Sequence, residues 1–309
     1  MQKTGTIIKS TGSWYIVLDD QGEKFHCRLR GRFKMAGSKA TNPVAVGDRV
    51  DFMADMSGRQ QTGIITGIHD RVNYMIRKAT KLSKKTHVIA ANLDQVVIIA
   101  TLAEPKTSTG FIDRLLVTCE AYSIPALIVF NKCDLLESEV GQQALYEITD
   151  TYTSAGYPCI SVSATKRLYL DRFTDALRDK TSLLAGHSGV GKSTLINAIE
   201  PGINLKVQAI SETHLKGKHT TTFAEMIPLS FGGFIIDTPG IKEFGLVYFE
   251  PGELYHYFPE MRKLFNQCRY DNCTHFNEPG CVVKQHVEAG TISLSRYSNY
   301  IGMLLGGER

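Results

Sequence analysis

The chain has 309 residues, of which 43% are hydrophobic and 21% charged, and its formal net charge is +4. This balance excludes an intrinsically disordered chain, and the length predicts two or three structural units. Because no apolar run approaches the roughly 18 residues of a membrane span and the N-terminus lacks a signal-peptide core, we expect a cytoplasmic protein with no membrane partner.

Residues 1–72 contain short strand-like runs separated by glycines and polar turns. Five short strands in about 70 residues predict an all-β barrel of the OB-fold type, with an SH3-like barrel as the alternative. The segment 24–39 carries six basic residues and no acid, a pattern that suits a polyanion such as RNA. A solvated strand face is the other interpretation of these charges. The basic residues are Lys24, Arg28, Arg30, Arg32, Lys34 and Lys39.

From residue 73 to 245, buried-strand patterns alternate with helical ones, which predicts a mostly parallel α/β sheet. The strand-like runs are LDQVVIIAT, PALIVFN, PCISVSA, TSLLAGH and GGFIIDT. The helical patterns between them include FIDRLLVTCEAY and STLINAI. Beyond residue 245 the strand runs stop, and a last helix is expected around 293–305.

A phosphate-binding loop lies between the strand-like TSLLA and the helical STLINAI. Its glycines let backbone N–H groups face a β-phosphate, Lys192 can reach the β- and γ-phosphates, and the Ser193 hydroxyl can ligate Mg²⁺. A chance glycine-rich turn is the alternative, which the strand-loop-helix context disfavours. The candidate phosphate-binding residues are Gly186, His187, Ser188, Gly189, Val190, Gly191, Lys192, Ser193 and Thr194.

The base-reading element follows the strand-like run PALIVF. Its residues are Asn131, Lys132, Cys133 and Asp134. The Asp134 carboxylate can accept hydrogen bonds from guanine N1 and N2, whereas adenine would leave it unpaired at a cost of about 1.5–3 kcal/mol. Ser163 and Ala164, after the next strand, resemble the guanine-contacting Ser-Ala loop of GTPases. Together these elements favour GTP over ATP.

Two further elements follow the phosphate loop in the chain. The basic segment 217–222 should contain the threonine that binds Mg²⁺, and Thr221 is preferred over its two threonine neighbours. The sequence Asp-Thr-Pro-Gly that begins at Asp237 resembles the D-x-x-G element of GTPases. There, Asp237 would hold a Mg²⁺-bound water and the Gly240 N–H would meet the γ-phosphate.

The order of these elements is unusual, because the guanine element precedes the phosphate loop whereas most GTPases have the reverse order. Strands that are neighbours in a sheet need not be neighbours in the sequence, so a reordered chain can form the same sheet. The order therefore predicts a circularly permuted P-loop GTPase. Ile241 occupies the position at which Ras-like proteins carry the glutamine that orients the attacking water. We therefore expect slow hydrolysis by the protein alone, with His219 as the candidate for positioning the water. A merely solvated loop histidine is the alternative.

The C-terminal region carries a Cys-x4-Cys-x-His-x5-Cys cluster formed by Cys268, Cys273, His275 and Cys281. Three sulfurs and one imidazole suit tetrahedral Zn²⁺, and a set without an open position predicts a structural site. Reduced buried cysteines are the alternative.

The motif order, the basic barrel and the cysteine cluster together resemble the ribosome small-subunit-dependent GTPase A family, also called RsgA or YjeQ, over nearly the whole length. The resemblance implies an OB-fold RNA-binding domain at 1–72, a permuted GTPase domain at 73–245 and a zinc-binding domain at 246–309. It further implies binding to the 30S subunit and its 16S rRNA late in subunit maturation, ribosome-stimulated GTP hydrolysis and a catalytic role for His219. We expect a monomer.

Two other functions fit the same motifs. A permuted GTPase could regulate a non-ribosomal protein, membrane or RNA partner, in which case 30S subunits would not stimulate turnover. A nucleotide-gated RNA-binding protein could hydrolyse GTP only incidentally, in which case a non-hydrolysing Lys192→Ala variant would still release RNA normally.

Overall fold

The computed structural model describes residues 1–30, 43–55, 61–78, 86–203, 224–237, 250 and 252–306. Backbone packing divides the chain into two compact units. The first comprises Met1–Val96, Asp175–Ala185 and Ser211–Gly245, and the second comprises Val97–Thr174, Gly186–Ile210 and Leu246–Arg309. Each unit is therefore assembled from segments that are distant in the sequence.

A five-stranded barrel forms the N-terminal part of the first unit. Its strands are β1 (Gln2–Ser10), β2 (Tyr15–Asp19), β3 (Lys24–Leu29), β4 (Arg49–Asp55) and β5 (Thr62–Ile68). The strands pair in the order β1–β2–β3–β5–β4, and β4 pairs back onto β1 to close the barrel. Side chains along β2 and β4 alternate between buried and more exposed positions, as expected for strands with one face on a core. The OB-fold prediction is confirmed.

The barrel core is built from apolar residues of all five strands. Phe25 and Phe52 are fully buried, and their ring centroids lie 5.1 Å apart. Burying each such ring stabilises the fold by about 1.5–3 kcal/mol relative to leaving it exposed. The barrel thus has a core of its own.

The other strands of the first unit are β6 (Tyr74–Lys78), β7 (Thr86–Ala91), β11 (Thr181–Ala185), β12 (Glu225–Pro228) and β13 (Phe234–Asp237). β6 and β7 form a separate antiparallel pair. β11 pairs with β13 in parallel, and β12 runs antiparallel to β13. β12 also pairs with β1 of the barrel, where Lys9 and Glu225 are register partners joined by a 2.9 Å ion pair.

Three strands belong wholly or mainly to the second unit: β8 (Gln95–Ala100), β9 (Ala126–Phe130) and β10 (Cys159–Ser161). β9 lies between β8 and β10, and β9 and β10 run parallel. Every residue of β8 and β9 is buried, which accounts for their continuous apolar sequence. The sequence prediction of a mostly parallel α/β sheet is confirmed for these strands.

The described residues also form seven α-helices. They are α1 (Thr109–Ala121), α2 (Glu139–Ser154), α3 (Leu170–Leu177), α4 (Lys192–Ile199), α5 (Pro259–Arg262), α6 (Val282–Glu288) and α7 (Leu294–Leu304). None of the helices in the described parts of the chain has the length and apolar character needed to cross a membrane.

The C-terminal segment packs against α1 within the second unit. Its buried residues include Leu254, Phe258, Val283 and Tyr300, and Val117 of α1 belongs to the same hydrophobic cluster. The C-terminal segment therefore shares one hydrophobic core with a face of α1.

Candidate nucleotide and metal sites

The Asn-Lys-Cys-Asp segment follows β9 directly. The Asn131 N–H donates to the Ala100 carbonyl oxygen of the neighbouring β8 at 2.9 Å, so the segment begins as an extension of the sheet. Lys132 then adopts the left-handed conformation with φ 63°, and a short 3₁₀ turn covers Cys133–Leu135. This reversal directs the chain away from the strand immediately before Asp134.

The buried side chain of Asn131 connects three loops of the second unit. Its Nδ2 donates to the Val190 carbonyl oxygen of the phosphate loop at 2.9 Å. Its Oδ1 accepts from the Ala164 N–H at 3.2 Å. One amide thereby holds the guanine element, the Ser-Ala loop and the phosphate loop together.

The Asp134 carboxylate has one engaged and one open oxygen. The Thr165 hydroxyl lies 3.5 Å from Oδ2. Oδ1 is buried and has no hydrogen-bond partner within the described part of the protein. A buried unpaired acceptor costs about 1–3 kcal/mol, and a ligand that donated to this oxygen would remove that cost.

The Ser-Ala loop is fixed by its own hydrogen bonds. Ser163 is fully buried, and its backbone exchanges two hydrogen bonds with Leu168 at 3.0 and 3.2 Å. The Ser163 hydroxyl accepts from the Lys166 N–H at 3.1 Å. These hydrogen bonds fix the backbone conformation of the loop beside the Asn131 amide.

The phosphate loop connects β11 to α4. The Lys192 ammonium donates to the carbonyl oxygens of Gly186 at 2.6 Å and His187 at 2.8 Å, so the lysine lies across its own loop. Gly191, at φ 89°, caps α4, and a Cβ atom there would lie 2.4 Å from the Asn131 Nδ2. Glycine is required at this position both by the backbone conformation and by the close approach of Asn131. Ser188, Gly189, Ser193 and Thr194 complete this loop and the first turn of α4.

Asp237 is the last residue of β13. In the parallel register of β11 and β13, Leu183 lies opposite Ile236. Asp237 therefore lies at the same end of these strands as Ala185, the residue before the phosphate loop. The predicted catalytic and Mg²⁺-binding residues His219, Thr221 and Gly240 lie outside the described residues.

Cys268, Cys273, His275 and Cys281 converge in the C-terminal segment, and their ligand atoms all lie within 4.8 Å of one another. The His275 Nδ1 lies 3.4–3.6 Å from the three sulfurs, and the sulfurs of Cys268 and Cys281 are 3.9 Å apart. Zinc bonds of about 2.0–2.3 Å in a tetrahedron imply ligand–ligand distances of roughly 3.5–3.8 Å. The donor set fits one tetrahedral metal ion.

Burial keeps three side chains of this cluster uncharged when no cation is bound. Burial raises the pKa of Cys273 to about 12 and raises the pKa of Cys281, so without a cation these thiols keep their protons. Burial lowers the pKa of His275, which keeps the imidazole neutral and able to coordinate. His275 lies in a loop and has φ 59°, a left-handed backbone conformation.

The loop that carries the cluster is supported from two sides. The Glu278 carboxylate accepts from the Thr274 N–H and hydroxyl at 2.8 and 2.7 Å and from the Phe276 N–H at 3.0 Å. The Tyr297 hydroxyl of α7 donates to the His275 carbonyl oxygen at 2.7 Å. The backbone around His275 is thus fixed by residues outside the cluster.

A search of protein-family models matches residues 68–247 to the RsgA GTPase and residues 4–65 to the RsgA N-terminal domain. The chain belongs to the RsgA GTPase family. It is a GTP hydrolase by that membership, and the sequence-based recognition of the family is confirmed.

Curated relatives and solved structures agree with this assignment. The chain is 49% identical to the small ribosomal subunit biogenesis GTPase RsgA of Flavobacterium johnsoniae, over 99% of this chain and 94% of the relative. It is 50% identical to the protein of that name from Cytophaga hutchinsonii, over 97% of each. The structure of YjeQ from Thermotoga maritima is similar with a TM-score of 0.80, 35% identity and full coverage of both chains.

A second solved structure confirms the predicted permutation. It is that of YloQ, a circularly permuted GTPase, with a TM-score of 0.78, 31% identity and coverage of 100% of this chain and 96% of that one. Because the permuted order was predicted from the motifs alone, fold and sequence lead to the same architecture.

Sequence reasoning missed two features of the site. The Asn131 amide was expected only as part of a base-reading motif, yet it also joins the phosphate loop to the Ser-Ala loop. His187 was expected as one residue of the phosphate loop, yet its ring stacks on Phe111 of α1 with the centroids 3.7 Å apart. An apolar residue in the first turn of a helix gives no sequence signal for such a contact.

Proposed function

We propose that this GTPase binds the 30S ribosomal subunit and acts in its late maturation, with GTP hydrolysis stimulated by the subunit. The partner is suggested by the printed names of the relatives, which are small ribosomal subunit biogenesis GTPases. The observation that carries the nucleotide part is the bridge from Asn131 to Val190, which holds a guanine-reading segment beside a phosphate loop.

In this proposal each element has a separate task toward GTP. Asp134 accepts the guanine N–H donors with its open oxygen, and the Ser163–Ala164 loop supports the other edge of the base. Lys192 exchanges its loop carbonyls for the β- and γ-phosphates when nucleotide binds. The N–H groups at the start of α4 also face the phosphates, where the helix end favours negative charge.

The hydrolytic step is assigned to residues after the phosphate loop. Ser193 and Thr221 would hold Mg²⁺, Asp237 would hold a water of that ion, and the Gly240 N–H would meet the γ-phosphate. Mg²⁺ would neutralise the charge that develops between the β- and γ-phosphates. His219 would orient the attacking water, which is the task Ile241 cannot perform.

The C-terminal cluster would hold one structural Zn²⁺ at Cys268, Cys273, His275 and Cys281. With four protein ligands it has no open position for substrate, so its contribution is to the folding of the C-terminal segment. Zinc is the metal that this set of three thiolates and one imidazole favours.

The N-terminal barrel is proposed as the contact with 16S rRNA. The Arg28 guanidinium lies 3.7 Å from the centroid of the Trp14 ring, and Trp14 is 42% exposed. An exposed aromatic ring with a cation on one face suits stacking with bases and pairing with phosphates. The protein would act in the cytoplasm as a monomer built from domains 1–72, 73–245 and 246–309.

The test is GTP turnover by the purified protein, alone and with equimolar 30S, 50S or 70S particles, at two salt concentrations. Large stimulation by 30S alone that weakens at high salt is expected, because phosphate contacts by Lys and Arg release counterions. Absence of stimulation by any particle would favour a GTPase with a non-ribosomal partner. Normal RNA release by Lys192→Ala would favour a nucleotide-gated RNA-binding protein.

A further inference from the structure

A buried arginine of α7 joins the C-terminal segment to α1. The Arg296 side chain is 1% exposed, and its Nη1 lies 2.6 Å from the Asp113 Oδ1 of α1. Its Nε and Nη2 lie 2.7 and 2.9 Å from the two carboxylate oxygens of Glu260. Asp113 is also fully buried. This pairing satisfies both carboxylates and leaves little freedom between α7 and α1.

The buried Arg296 guanidinium keeps its positive charge. Burial by itself would lower the pKa of Arg296, but the charge of Asp113 and the hydrogen bonds and charge of Glu260 raise it above its ordinary value. The rings of Tyr152, Tyr157 and Phe258 surround the guanidinium at 4.8–5.7 Å from their centroids. Arg296 therefore stays a cation, enclosed by aromatic rings and two carboxylates.

Asn299, one turn after Arg296, adds a second attachment to the same part of α1. Its Nδ2 donates to the Asp113 Oδ2 at 2.6 Å and to the Thr109 hydroxyl at 3.1 Å. Thr109 and Asp113 are four residues apart and lie on one face of the helix. The first turns of α1 are thus held by α7 from one side.

The other side of the same turns contacts the phosphate loop. Phe111 lies two residues before Asp113, and since successive helical residues are rotated by about 100°, its side chain leaves nearly the opposite face. The Phe111 ring stacks on the His187 ring with the centroids 3.7 Å apart and an angle of 29° between the planes. The start of α1 is therefore held between α7 and the phosphate loop.

We propose that Arg296 is a positioning residue for the nucleotide site. By fixing the first turns of α1 it sets the Phe111 ring against His187, and this contact holds the phosphate loop in the conformation that binds GTP and GDP. The C-terminal segment and the nucleotide are then coupled, and the coupling must act in both directions. The inference rests on the GTP-binding site and is independent of the ribosomal partner.

Three variants separate this role from simple support of the fold. Asp113→Asn keeps the shape but removes one charge of the pair, and Arg296→Lys keeps the cation but loses the bidentate contact. Phe111→Leu removes the stacking ring and keeps a buried apolar side chain at that position. The matched control is Arg262→Ala. Arg262 also joins the C-terminal segment to α1, through a 2.8 Å ion pair with Glu120. Glu120 lies nine residues beyond Phe111, about 13 Å along the helix.

The first readout is the affinity for fluorescent GDP and GTP at a temperature at which every variant is folded by circular dichroism. We expect all three variants to bind about 5- to 30-fold more weakly and Arg262→Ala to bind like the unaltered protein. Equal affinities for all four variants and the unaltered protein would overturn the proposal. Equal weakening in Arg262→Ala would do so as well, because it would reflect general destabilisation.

The second readout is hydrogen exchange of α7 with and without GDP. If the coupling is present, GDP slows exchange in α7 of the unaltered protein, and Phe111→Leu abolishes that protection although the substituted residue lies outside α7. Persistence of the protection in Phe111→Leu would overturn the proposed path through His187. Neither readout involves ribosomal particles, so a failure of the ribosomal assignment would leave both results interpretable.

Discussion

The Asn131 side-chain amide donates to the Val190 carbonyl oxygen across 2.9 Å, although the two residues are 59 positions apart in the chain. The same amide accepts from the Ala164 N–H at 3.2 Å. In a permuted chain the base-reading and phosphate-binding segments are joined through a different path from that of other GTPases. The buried hydrogen bond between Asn131 and Val190 fixes the distance between the two segments, whichever route the chain takes from one to the other.

Replacing Asn131 by alanine should weaken binding of GTP and GDP alike by about 10- to 100-fold. The variant loses two hydrogen bonds and leaves the Val190 carbonyl oxygen buried and unpaired, a combined cost of about 1.4–2.8 kcal/mol. Titration with a fluorescent guanine nucleotide measures the effect. Unchanged affinity would show that the three loops keep their arrangement without the amide.

Two further variants test this interpretation, one as a control and one as an independent change at the same contact. Ser138→Ala removes the hydroxyl that accepts from the Gly141 N–H at the start of α2, and it should lower stability by about 1 kcal/mol without altering nucleotide affinity. Gly191→Ala approaches the same contact from the phosphate loop, where the new Cβ would meet the Asn131 Nδ2 at 2.4 Å. We expect it to weaken binding in the same direction as Asn131→Ala.

Replacing Asp134 by asparagine should exchange guanine specificity for xanthine specificity. The new amide can present an N–H where the carboxylate accepted one, which opposes the amino group of guanine but matches the carbonyl oxygen of xanthine. A loss of about 1.5–3 kcal/mol for GTP corresponds to roughly 10- to 150-fold weaker binding. Competition by GTP, XTP and ATP against a fluorescent nucleotide measures the preference.

The control is Asp150→Asn, which makes the same chemical change at an exposed carboxylate of α2. This variant should keep the order of affinities for GTP, XTP and ATP that the unaltered protein has. If Asp134→Asn still preferred GTP over XTP by the same factor, the open oxygen of Asp134 would have no role in reading the base.

The sequence could predict those parts of the candidate site that are formed by a short run of residues. The proposed phosphate loop and guanine element each consist of consecutive residues, so their spacing can be read from the sequence. The first lies between β11 and α4 and the second follows β9, as the motif context predicted. The cysteine cluster was also predictable, because its four ligands lie close together in the chain. Strands β8 and β9 were evident because both are buried along their whole length.

The parts that sequence could not predict depend on partners far along the chain. Arg296 pairs with Asp113 at a separation of 183 residues, and nothing in either neighbourhood marks the pair. The β6–β7 pair was also missed, since its strands Tyr74–Lys78 and Thr86–Ala91 flank a basic stretch in which hydrophobic alternation is weak. Pairing of β12 with the barrel strand β1 is equally non-local.

Removing one ligand of the C-terminal cluster should release the metal and destabilise the segment around it. In Cys281→Ser the remaining donors bind Zn²⁺ more weakly, and the folding free energy supplied by the metal is lost. Elemental analysis of the purified protein should give one zinc per chain, falling to a small fraction in the variant, together with a lower thermal midpoint. Cys159→Ser, on strand β10 and outside the cluster, is the control and should keep its zinc.

A different outcome would contradict the metal assignment. If the unaltered protein, purified without chelators, contained no stoichiometric metal, the four residues would be reduced cysteines and a buried histidine. A chelator would then leave the thermal midpoint of both proteins unchanged.

Replacing His219 by alanine should preserve GTP affinity but reduce ribosome-stimulated turnover by about 10²-fold, since the loss of a positioned acid–base group typically costs 10²–10⁴. The Ile241 side chain has no polar atom with which to orient water, so this task falls to another side chain. Single-turnover hydrolysis in the presence of 30S subunits separates the chemical step from product release. Affinity for a non-hydrolysable GTP analogue, measured in parallel, should not change.

His219→Gln distinguishes orientation of water from proton transfer. A glutamine amide can donate and accept hydrogen bonds, as the water-orienting glutamine of Ras-like GTPases does, but it cannot take up a proton near neutral pH. If His219 orients water, the glutamine variant should recover much of the stimulated rate that alanine loses. If both variants hydrolyse GTP at the unaltered rate, His219 has no part in the chemistry, and the water must be positioned by another residue or by the partner.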